Sequence, residues 1–379
     1  MEKIVILGAG VGGVVVANLL AEHLRSALLS GQVSVELITD SAQQIYKPGF
    51  LYLAFGQDAP GHYQREVRSL LSPLVRLEVD PVTKVETSTS QVHTRSGRRH
   101  PYDQLIIATG SRVVPSATPG LEAGGHHFYT QEAALALRQA LGSLESGQIV
   151  LSVAGIPHMC PVAPLEAVFL LDASLRRRGI RDQFSLTYTY PINRVHPIVP
   201  VAEWAAQAFQ ARGIKSETFC NVEQIDAQSK QILTLEGGSI PYDLLIAIPE
   251  HRPAQFLEDS GLTQSGWVPV DRDSLAVVGH EGIWALGDTT NLAIPKAGSV
   301  AHYQAYVVAK NVASRINKDI APVHYDGKTL CFIETGDDKA TYLEFDYNRL
   351  PVMTEPSRLL HWAKLGYNEI YWLTAKGVA

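Results

Sequence analysis

The chain has 379 residues, 46% of them hydrophobic and 18% charged, which is typical of a soluble α/β protein with well-buried cores. A formal net charge of -6 argues against a nucleic-acid partner, and three cysteines are too few for a disulfide scaffold. No run of 18 apolar residues predicts a membrane-spanning helix. The first strand begins at Lys3, so we expect no secretory signal. Any disulfide should therefore serve chemistry rather than structure.

The first predicted unit is βαβ. Strand Ile4–Leu7 leads through a glycine-rich loop into helix Gly13–Leu29, and strand Val33–Thr39 ends at Asp40. In such a loop, glycines let backbone N–H groups at a helix N-terminus meet a pyrophosphate, and an acidic residue after the second strand binds ribose hydroxyls. Asp40 is the better ribose ligand than Glu36, which would lie mid-strand in a buried sheet. This unit predicts a dinucleotide site.

A sequence pattern that occurs twice along the chain predicts two similar domains in tandem. Segment 75–92 is predicted to form a small β segment, and strand Tyr102–Ser111 follows it. Nearly the same strand recurs as Pro241–Pro249, and each copy is preceded by a glycine-containing hairpin. We predict an α/β protein with two Rossmann-like domains, the second degenerate. The predicted boundaries are 1–112 with 267–318, then 113–266, then a C-terminal β/helix region, 319–379.

The second glycine-rich loop is replaced by a cysteine segment. Strand Ile149–Val153 is followed by Ala154–Glu166, in which Pro157 and Cys160 occupy positions where a pyrophosphate-binding turn needs glycine. A nicotinamide site is therefore not expected. A thiol reacts as the thiolate, and Cys160 before Pro161 reads as a helix start, which predicts a lowered thiol pKa.

The remaining segments include a strand that ends in Gly287-Asp288, a helix over Val300–Ile316 and β structure over Thr329–Phe345. The tail, 358–373, has two tryptophans and two tyrosines among basic residues. Such a helix either lies in a membrane interface or packs on its own domain or on a dimer partner. A homo-oligomer is left open.

These motifs together resemble the two-dinucleotide-domain flavoprotein superfamily. The features are Gly8-x-Gly10-x-x-Gly13, Ala108-Thr109-Gly110 and Ala285-Leu286-Gly287-Asp288, in that order. The resemblance implies FAD as cofactor and no metal. The implied FAD-binding residues are Gly8, Ala9, Gly10, Gly13, Asp40, Lys47, Pro48, Val82, Ala108, Thr109, Gly110, Gly287, Asp288 and Lys296.

Within that superfamily, segments Cys160–Glu166, Thr329–Gly336 and Pro295–Gly298 look like sulfide:quinone oxidoreductases. This resemblance implies that Cys160 and Cys331 lie against the flavin and cycle between disulfide and persulfide. Sulfide would be the donor and a membrane quinone the acceptor, reached from the membrane surface through the tail helix. We expect a peripheral protein on the cytoplasmic face of the membrane.

Three other candidate residues have two interpretations each, and a fourth has one. Glu166 would shuttle the sulfide proton or merely complement the helix dipole. His196 would be a second proton carrier, but a lone loop histidine is more often structural. Lys296 would stabilise the reduced flavin or be a surface lysine, and Cys220 reads as a small buried hydrophobe.

Three alternative functions stay open at this point. The first is the flavoprotein subunit of a sulfide dehydrogenase that donates to a cytochrome. The second is a type II NADH:quinone dehydrogenase, which would need the missing second glycine-rich loop. The third is a non-catalytic redox-sensing flavoprotein.

Overall fold

The computed structural model describes residues 1–59 and 61–377. Four strands of its first part, β1 (Glu2–Leu7), β2 (Val33–Thr39), β5 (Val75–Val79) and β9 (Gln104–Ile107), form a parallel sheet with a strand from later in the chain, β19 (Ile283–Ala285). The strand order is β19-β9-β1-β2-β5. Runs of buried aliphatic residues, such as Ile4–Leu7, suit a sheet covered on both faces. The elements are β1 (Glu2–Leu7), α1 (Val11–His23), α2 (Arg25–Leu29), β2 (Val33–Thr39), β3 (Gln43–Ile45), α3 (Gly49–Ala54), β4 (Gln64–Glu66), α4 (Val67–Leu70), β5 (Val75–Val79), β6 (Val82–Glu86), β7 (Gln91–Thr94), β8 (Arg99–Pro101) and β9 (Gln104–Ile107).

The middle of the chain repeats this arrangement with a second parallel sheet, in the order β13-β12-β11-β17. Each unit also carries an antiparallel sheet, β6-β7-β8 in the first and β14-β15-β16 in the second. The elements are β10 (Arg112–Val114), α5 (Leu121–Gly124), α6 (Gln131–Ser143), β11 (Gly147–Val153), α7 (Ala163–Arg177), β12 (Phe184–Tyr190), α8 (Val199–Arg212), β13 (Ile214–Thr218), β14 (Val222–Asp226), β15 (Gln231–Thr234), β16 (Ser239–Pro241), β17 (Leu244–Ile248), β18 (Glu250–Arg252) and α9 (Gln255–Asp259).

The last part of the chain first returns to the first sheet and then covers the site. Strand β19 pairs with β9, α10 packs on α1, β20 lies along α7, and α11 packs on β21. The elements are β19 (Ile283–Ala285), α10 (Gly298–Ile316), β20 (Thr329–Gly336), β21 (Lys339–Phe345), β22 (Val352–Met353) and α11 (Arg358–Thr374).

The predicted α/β class with two Rossmann-like sheets is confirmed, and the domain boundaries stay a prediction. Two predicted elements are wrong in their bounds. The helix predicted over Gly13–Leu29 is interrupted at Leu24, and the helix predicted to start at Cys160 begins at Ala163. In the described residues, 1–59 and 61–377, no helix is long and apolar enough to cross a membrane.

Candidate active site

A cavity of about 240 Å³ lies where the three parts of the chain meet. The first glycine-rich loop, the cysteine segment after β11, the start of α10, strand β20 and helix α11 all contribute to its wall. Its lining includes Gly10, Cys160, Glu166, Asp288, Cys331 and Lys364. Most of the wall is apolar, with a few charged groups among aromatic rings, which is typical of a cofactor pocket.

The first glycine-rich loop has the shape that a pyrophosphate needs. Gly8 has φ +98°, and a Cβ there would lie 2.6 Å from the carbonyl oxygen of Ala108. A Cβ on Gly13 would lie 1.9 Å from the carbonyl oxygen of Gly8, whereas one on Gly10 would meet nothing within 4 Å. Gly8 and Gly13 therefore bring strand, loop and helix together, and Gly10 leaves open space beside the helix N-terminus.

Most other predicted cofactor residues also line this cavity. They are Lys47, Pro48, Ala108, Gly110, Gly287, Asp288 and Lys296. Ser111 Oγ donates to Asp288 Oδ2 at 3.5 Å, and burial raises the pKa of Asp288. This carboxyl therefore has capacity left for a hydroxyl-bearing ligand, and the Oγ1 of Thr109 is buried without a partner. These residues fit FAD.

Seven predicted residues do not line the cavity: Gly8, Ala9, Gly13, Thr109, Asp40, Val82 and His196. The first four belong to the first glycine-rich motif and to the turn after β9. Asp40 is exposed just beyond β2, and Val82 is half-buried at the start of β6. His196 is fully buried elsewhere: its Nδ1 accepts the N–H of Ile198 at 3.1 Å, and burial lowers its pKa to about 3. The structure therefore favours the structural interpretation of His196 and does not support a role as a catalytic proton carrier.

Lys296 is buried, so its interpretation as a surface lysine is wrong. Its ammonium donates to the carbonyl oxygens of Asp288 and Thr290, both at 2.9 Å, and lies 3.6 Å from the ring centre of Trp267. Burial lowers its pKa to about 8. The lysine places a positive charge beside Asp288 and holds the loop before α10 in position.

The segment of Cys160 is attached to that same loop. The N–H of Cys160 donates to the carbonyl of Lys296 at 2.6 Å, and Met159 pairs with Lys296 in a short parallel bridge. Tyr129 Oη donates to the carbonyl of Met159 at 3.2 Å. Cys160 itself has φ +52°, three residues before α7 begins. Backbone bonds between the segment after β11 and the loop before α10 thus fix the thiol at the cavity.

Burial raises the pKa of both thiols at the cavity, contrary to the lowered value predicted for Cys160. The pKa of Cys160 lies well above its usual value because the thiol is buried and faces Glu166 and Cys331. The pKa of Cys331 rises to about 12 through burial and Glu166. The helix dipole does not compensate, because α7 begins only at Ala163. Both are free thiols in this structure.

The second glycine-rich loop differs from the first after its first glycine. A Cβ on Gly155 would lie 2.6 Å from the Cα of Glu250, a close approach to the neighbouring backbone like that of Gly8 to Ala108. Pro157 and Cys160 then stand where a pyrophosphate-binding turn needs glycine, and the N–H of Cys160 is bonded to the carbonyl of Lys296. The structure agrees with the inference that this domain does not hold a nicotinamide cofactor in the usual way.

Glu166 forms a buried ion pair with Lys364, a residue that the sequence did not single out. The Oε1 of Glu166 accepts from the Lys364 ammonium and from the N–H of Glu334, the latter at 2.9 Å. Burial raises the pKa of Glu166, and Lys364 opposes that rise. Burial lowers the pKa of Lys364, but the charges of Glu166 and Glu334 outweigh it and raise the pKa overall. The interpretation that Glu166 merely complements the helix dipole does not account for this ion pair.

Cys220 lies away from this site, in an apolar cluster with Val150, Ile225 and Leu245. Its N–H donates to the carbonyl of Tyr190 at 3.1 Å. The interpretation as a small buried hydrophobe fits this surrounding.

A family profile described as pyridine nucleotide-disulphide oxidoreductase matches residues 2–153 and 192–307. The chain belongs to this family. The matched ranges leave out 154–191, which contains Cys160 and Glu166, and everything after 307. Membership confirms the predicted FAD, and the protein is an FAD-dependent oxidoreductase.

Several relatives are named sulfide:quinone oxidoreductases, in agreement with the resemblance stated from the sequence, and others are named NADH dehydrogenase-like. The mitochondrial sulfide:quinone oxidoreductase of Dictyostelium discoideum is 26% identical, over 92% of this chain and 78% of its own length. An NADH dehydrogenase-like protein of Mycobacterium tuberculosis is 28% identical, over 76% of this chain and 72% of its own. The crystal structure of the Aquifex aeolicus sulfide:quinone oxidoreductase superposes with a TM-score of 0.88 at 20% identity, covering 100% of this chain and 92% of that one.

Lys364 and its neighbours on α11 could have been found from helical spacing. Lys364, Tyr367, Asn368 and Tyr371 recur at intervals of three and four, so they share one face of the tail helix. The structure turns this face inward: Tyr46 Oη donates to the amide oxygen of Asn368 at 2.5 Å. The inward face of α11 therefore forms part of the wall of the cavity.

Proposed function

We propose that this protein oxidises sulfide and passes the electrons through FAD to a membrane quinone. One observation carries the proposal: Cys160 and Cys331, which are 171 residues apart, line one cavity with the dinucleotide loop. The replacement of glycine by Pro157 and Cys160 in the second loop supports a donor other than NADH. The printed functions of several relatives, sulfide:quinone oxidoreductases, agree with it.

The cysteines carry the first step. Hydrosulfide attacks the Cys160–Cys331 disulfide, so one S–S bond forms and another breaks, leaving a persulfide on one sulfur and a thiolate on the other. FAD, when bound, supplies the acceptor for the two electrons that leave this pair. The Lys364 ammonium lowers the pKa of both thiols, so it stabilises the thiolate within a buried site that otherwise disfavours it.

The α11 side of the cavity suits a quinone. Phe332, Tyr367 and Tyr371 offer apolar and aromatic surface, and Lys364 supplies a donor for a quinone oxygen. The outer face of the same helix exposes large apolar side chains, among them Leu359 and Trp362, at 78% and 66%. We propose that this face lies in the membrane interface, on the cytoplasmic side, so that quinone enters directly from the lipid.

Anaerobic titration of the oxidised flavin band tests the proposal. Sulfide should bleach the band, NADH should not, and a short-chain quinone should restore it. Cys160→Ser and Cys331→Ser should each abolish bleaching by sulfide, and Cys220→Ser should behave as the wild type does. Bleaching by NADH alone would instead favour the second candidate, an NADH:quinone dehydrogenase. The name of the mycobacterial relative, NADH dehydrogenase-like protein, supports this candidate.

A further inference from the structure

The ammonium of Lys296 has a partner for each of its three N–H donors. Two donors reach the carbonyl oxygens of Asp288 and Thr290, both at 2.9 Å. The ring of Trp267 covers the third, because its centre lies 3.6 Å from Nζ. Lys296 lines the cavity, whereas Trp267 does not. The donors of this lysine are therefore occupied, and it presents to the cavity a positive charge rather than a hydrogen bond.

A tight turn holds Trp267 beside this lysine. Both turn residues, 265 and 266, have positive φ, +51° and +82°. On either side of them, Gln264 and Trp267 exchange both backbone hydrogen bonds, at 2.8 Å and 3.1 Å. This is the pattern of a two-residue hairpin turn. The next residue, Val268, donates its N–H to the carbonyl of Thr289 at 3.0 Å, so the indole is attached to the loop that carries the partners of Lys296.

The indole ring favours the charged form of Lys296. The lysine is 6% exposed, and burial disfavours its ammonium, with the result that its pKa falls to about 8. The charge of Asp288 opposes this fall. The face of an indole ring also attracts a cation, most strongly where water is excluded. Trp267 therefore stabilises the ammonium at neutral pH and holds it in the wall of the cavity.

The charge of Lys296 lies at the cysteine end of the cavity, since the carbonyl of this residue accepts the N–H of Cys160 at 2.6 Å. Reduction adds negative charge to a flavin ring system, and a fixed positive charge nearby stabilises the reduced form. We propose that Trp267 is a positioning residue that acts through Lys296 to raise the reduction potential of the flavin. This inference rests on the proposed function, which places the flavin ring at the cysteines.

The reduction potential of the flavin in the holoprotein measures this role. Photoreduction at pH 7 in the presence of a reference dye gives the ratio of reduced to oxidised flavin at equilibrium, and it uses neither sulfide nor quinone. Trp267→Leu should lower the equilibrium constant for two-electron reduction about tenfold, which makes the potential about 30 mV more negative. Trp267→Phe keeps a weaker ring face and should fall between Trp267→Leu and the wild type. Lys296→Met should lower the potential at least as much as Trp267→Leu.

A double-mutant cycle separates this role from simple packing. In a Lys296→Met background, Trp267→Leu should leave the potential unchanged, because the indole has no ammonium left to hold. Trp372→Leu is the matched control: its ring centre lies 5.0 Å from the guanidinium carbon of Arg65, and it does not line the cavity. This control should keep the wild-type potential.

Fluorinated tryptophans, inserted at position 267 alone, keep the shape of the indole and weaken the attraction of its face for a cation. They serve as a second set of variants in which the fold is not at risk. The potential should become more negative with each added fluorine.

The outcomes are distinguishable. A wild-type or more positive potential in Trp267→Leu would overturn the role of Trp267, as would a potential that does not change along the fluorinated series. Equal losses from Trp267→Leu in the wild-type and Lys296→Met backgrounds would also overturn it, since the indole would then act without the lysine. Failure of sulfide to bleach the wild-type flavin would instead refute the proposed function, because the photoreduction measurement does not involve sulfide.

Discussion

Replacing Lys364 by methionine tests the buried ion pair directly. The side chains of Lys364 and Glu166 are only 8% and 4% exposed, so the substitution leaves the Glu166 carboxylate buried without its ion-pair partner. Breaking a buried pair in this way costs about 3–5 kcal/mol. Glu166 keeps the N–H of Glu334 at 2.9 Å, so we expect the lower end, about 3 kcal/mol of unfolding free energy.

The loss of unfolding free energy in Lys364→Met should depend on pH in a defined direction. Burial already raises the pKa of Glu166, and Lys364 opposes this, so removing the lysine raises the pKa of Glu166 further. A carboxyl whose pKa is higher in the folded state than in the unfolded state stabilises below the unfolded pKa. That stability is lost as pH rises through the folded pKa. The deficit of Lys364→Met should therefore be small near pH 4 and largest near pH 8.

Urea denaturation followed by tryptophan fluorescence, at a fixed excess of FAD, measures this. The double variant Glu166→Leu with Lys364→Met should recover to within about 1 kcal/mol of the wild type, since apolar replacement of a buried pair is often neutral. Lys376→Met, at an exposed position after the same helix, should change little. A Lys364→Met protein as stable as the wild type at pH 8 would refute the reasoning.

Two further predictions concern the thiols and the membrane face. Glu166 raises the pKa of Cys160 and Cys331, so Glu166→Gln should speed alkylation of both reduced thiols by iodoacetamide at pH 8, measured by mass spectrometry; slower alkylation would make Glu166 their base instead. Trp362→Ser should weaken binding to anionic vesicles about tenfold or more in a flotation assay, because it removes a large apolar contact with lipid. Leu235→Ser, equally exposed on the second domain, is the control, and equal loss in both would contradict docking through α11.

Local chemistry made the first dinucleotide site predictable. Strand Val33–Thr39 has the predicted bounds, and the loop at Gly8 obeys rules that involve only neighbouring residues and the strand beside them. The resemblance that these motifs carry implies FAD without reference to any tertiary contact. The same local rules failed at Cys160, because Lys296, far along the chain, holds this segment in an irregular turn and the helix starts later.

The buried ion pair of the site could not be predicted from local sequence patterns. Glu166 and Lys364 are 198 residues apart, and only the packing of α11 brings them together. In the sequence, Lys364 reads as one of several basic residues on an amphipathic helix, where a membrane-facing position is the simplest interpretation. The pKa of the thiols depends on burial and on this pair, so its direction was predicted wrongly for the same reason.

The sequence positions of the site residues set the order in which they are synthesised. The glycine-rich loop leaves the ribosome first, Cys160 and Lys296 follow, and Cys331 comes later still, with Lys364 another 33 residues behind it. A nascent chain can thus complete its first Rossmann sheet only after β19, and its thiol pair only after β20. A chain that has not yet reached α11 therefore lacks Lys364, the charged group that lowers the pKa of the two buried thiols.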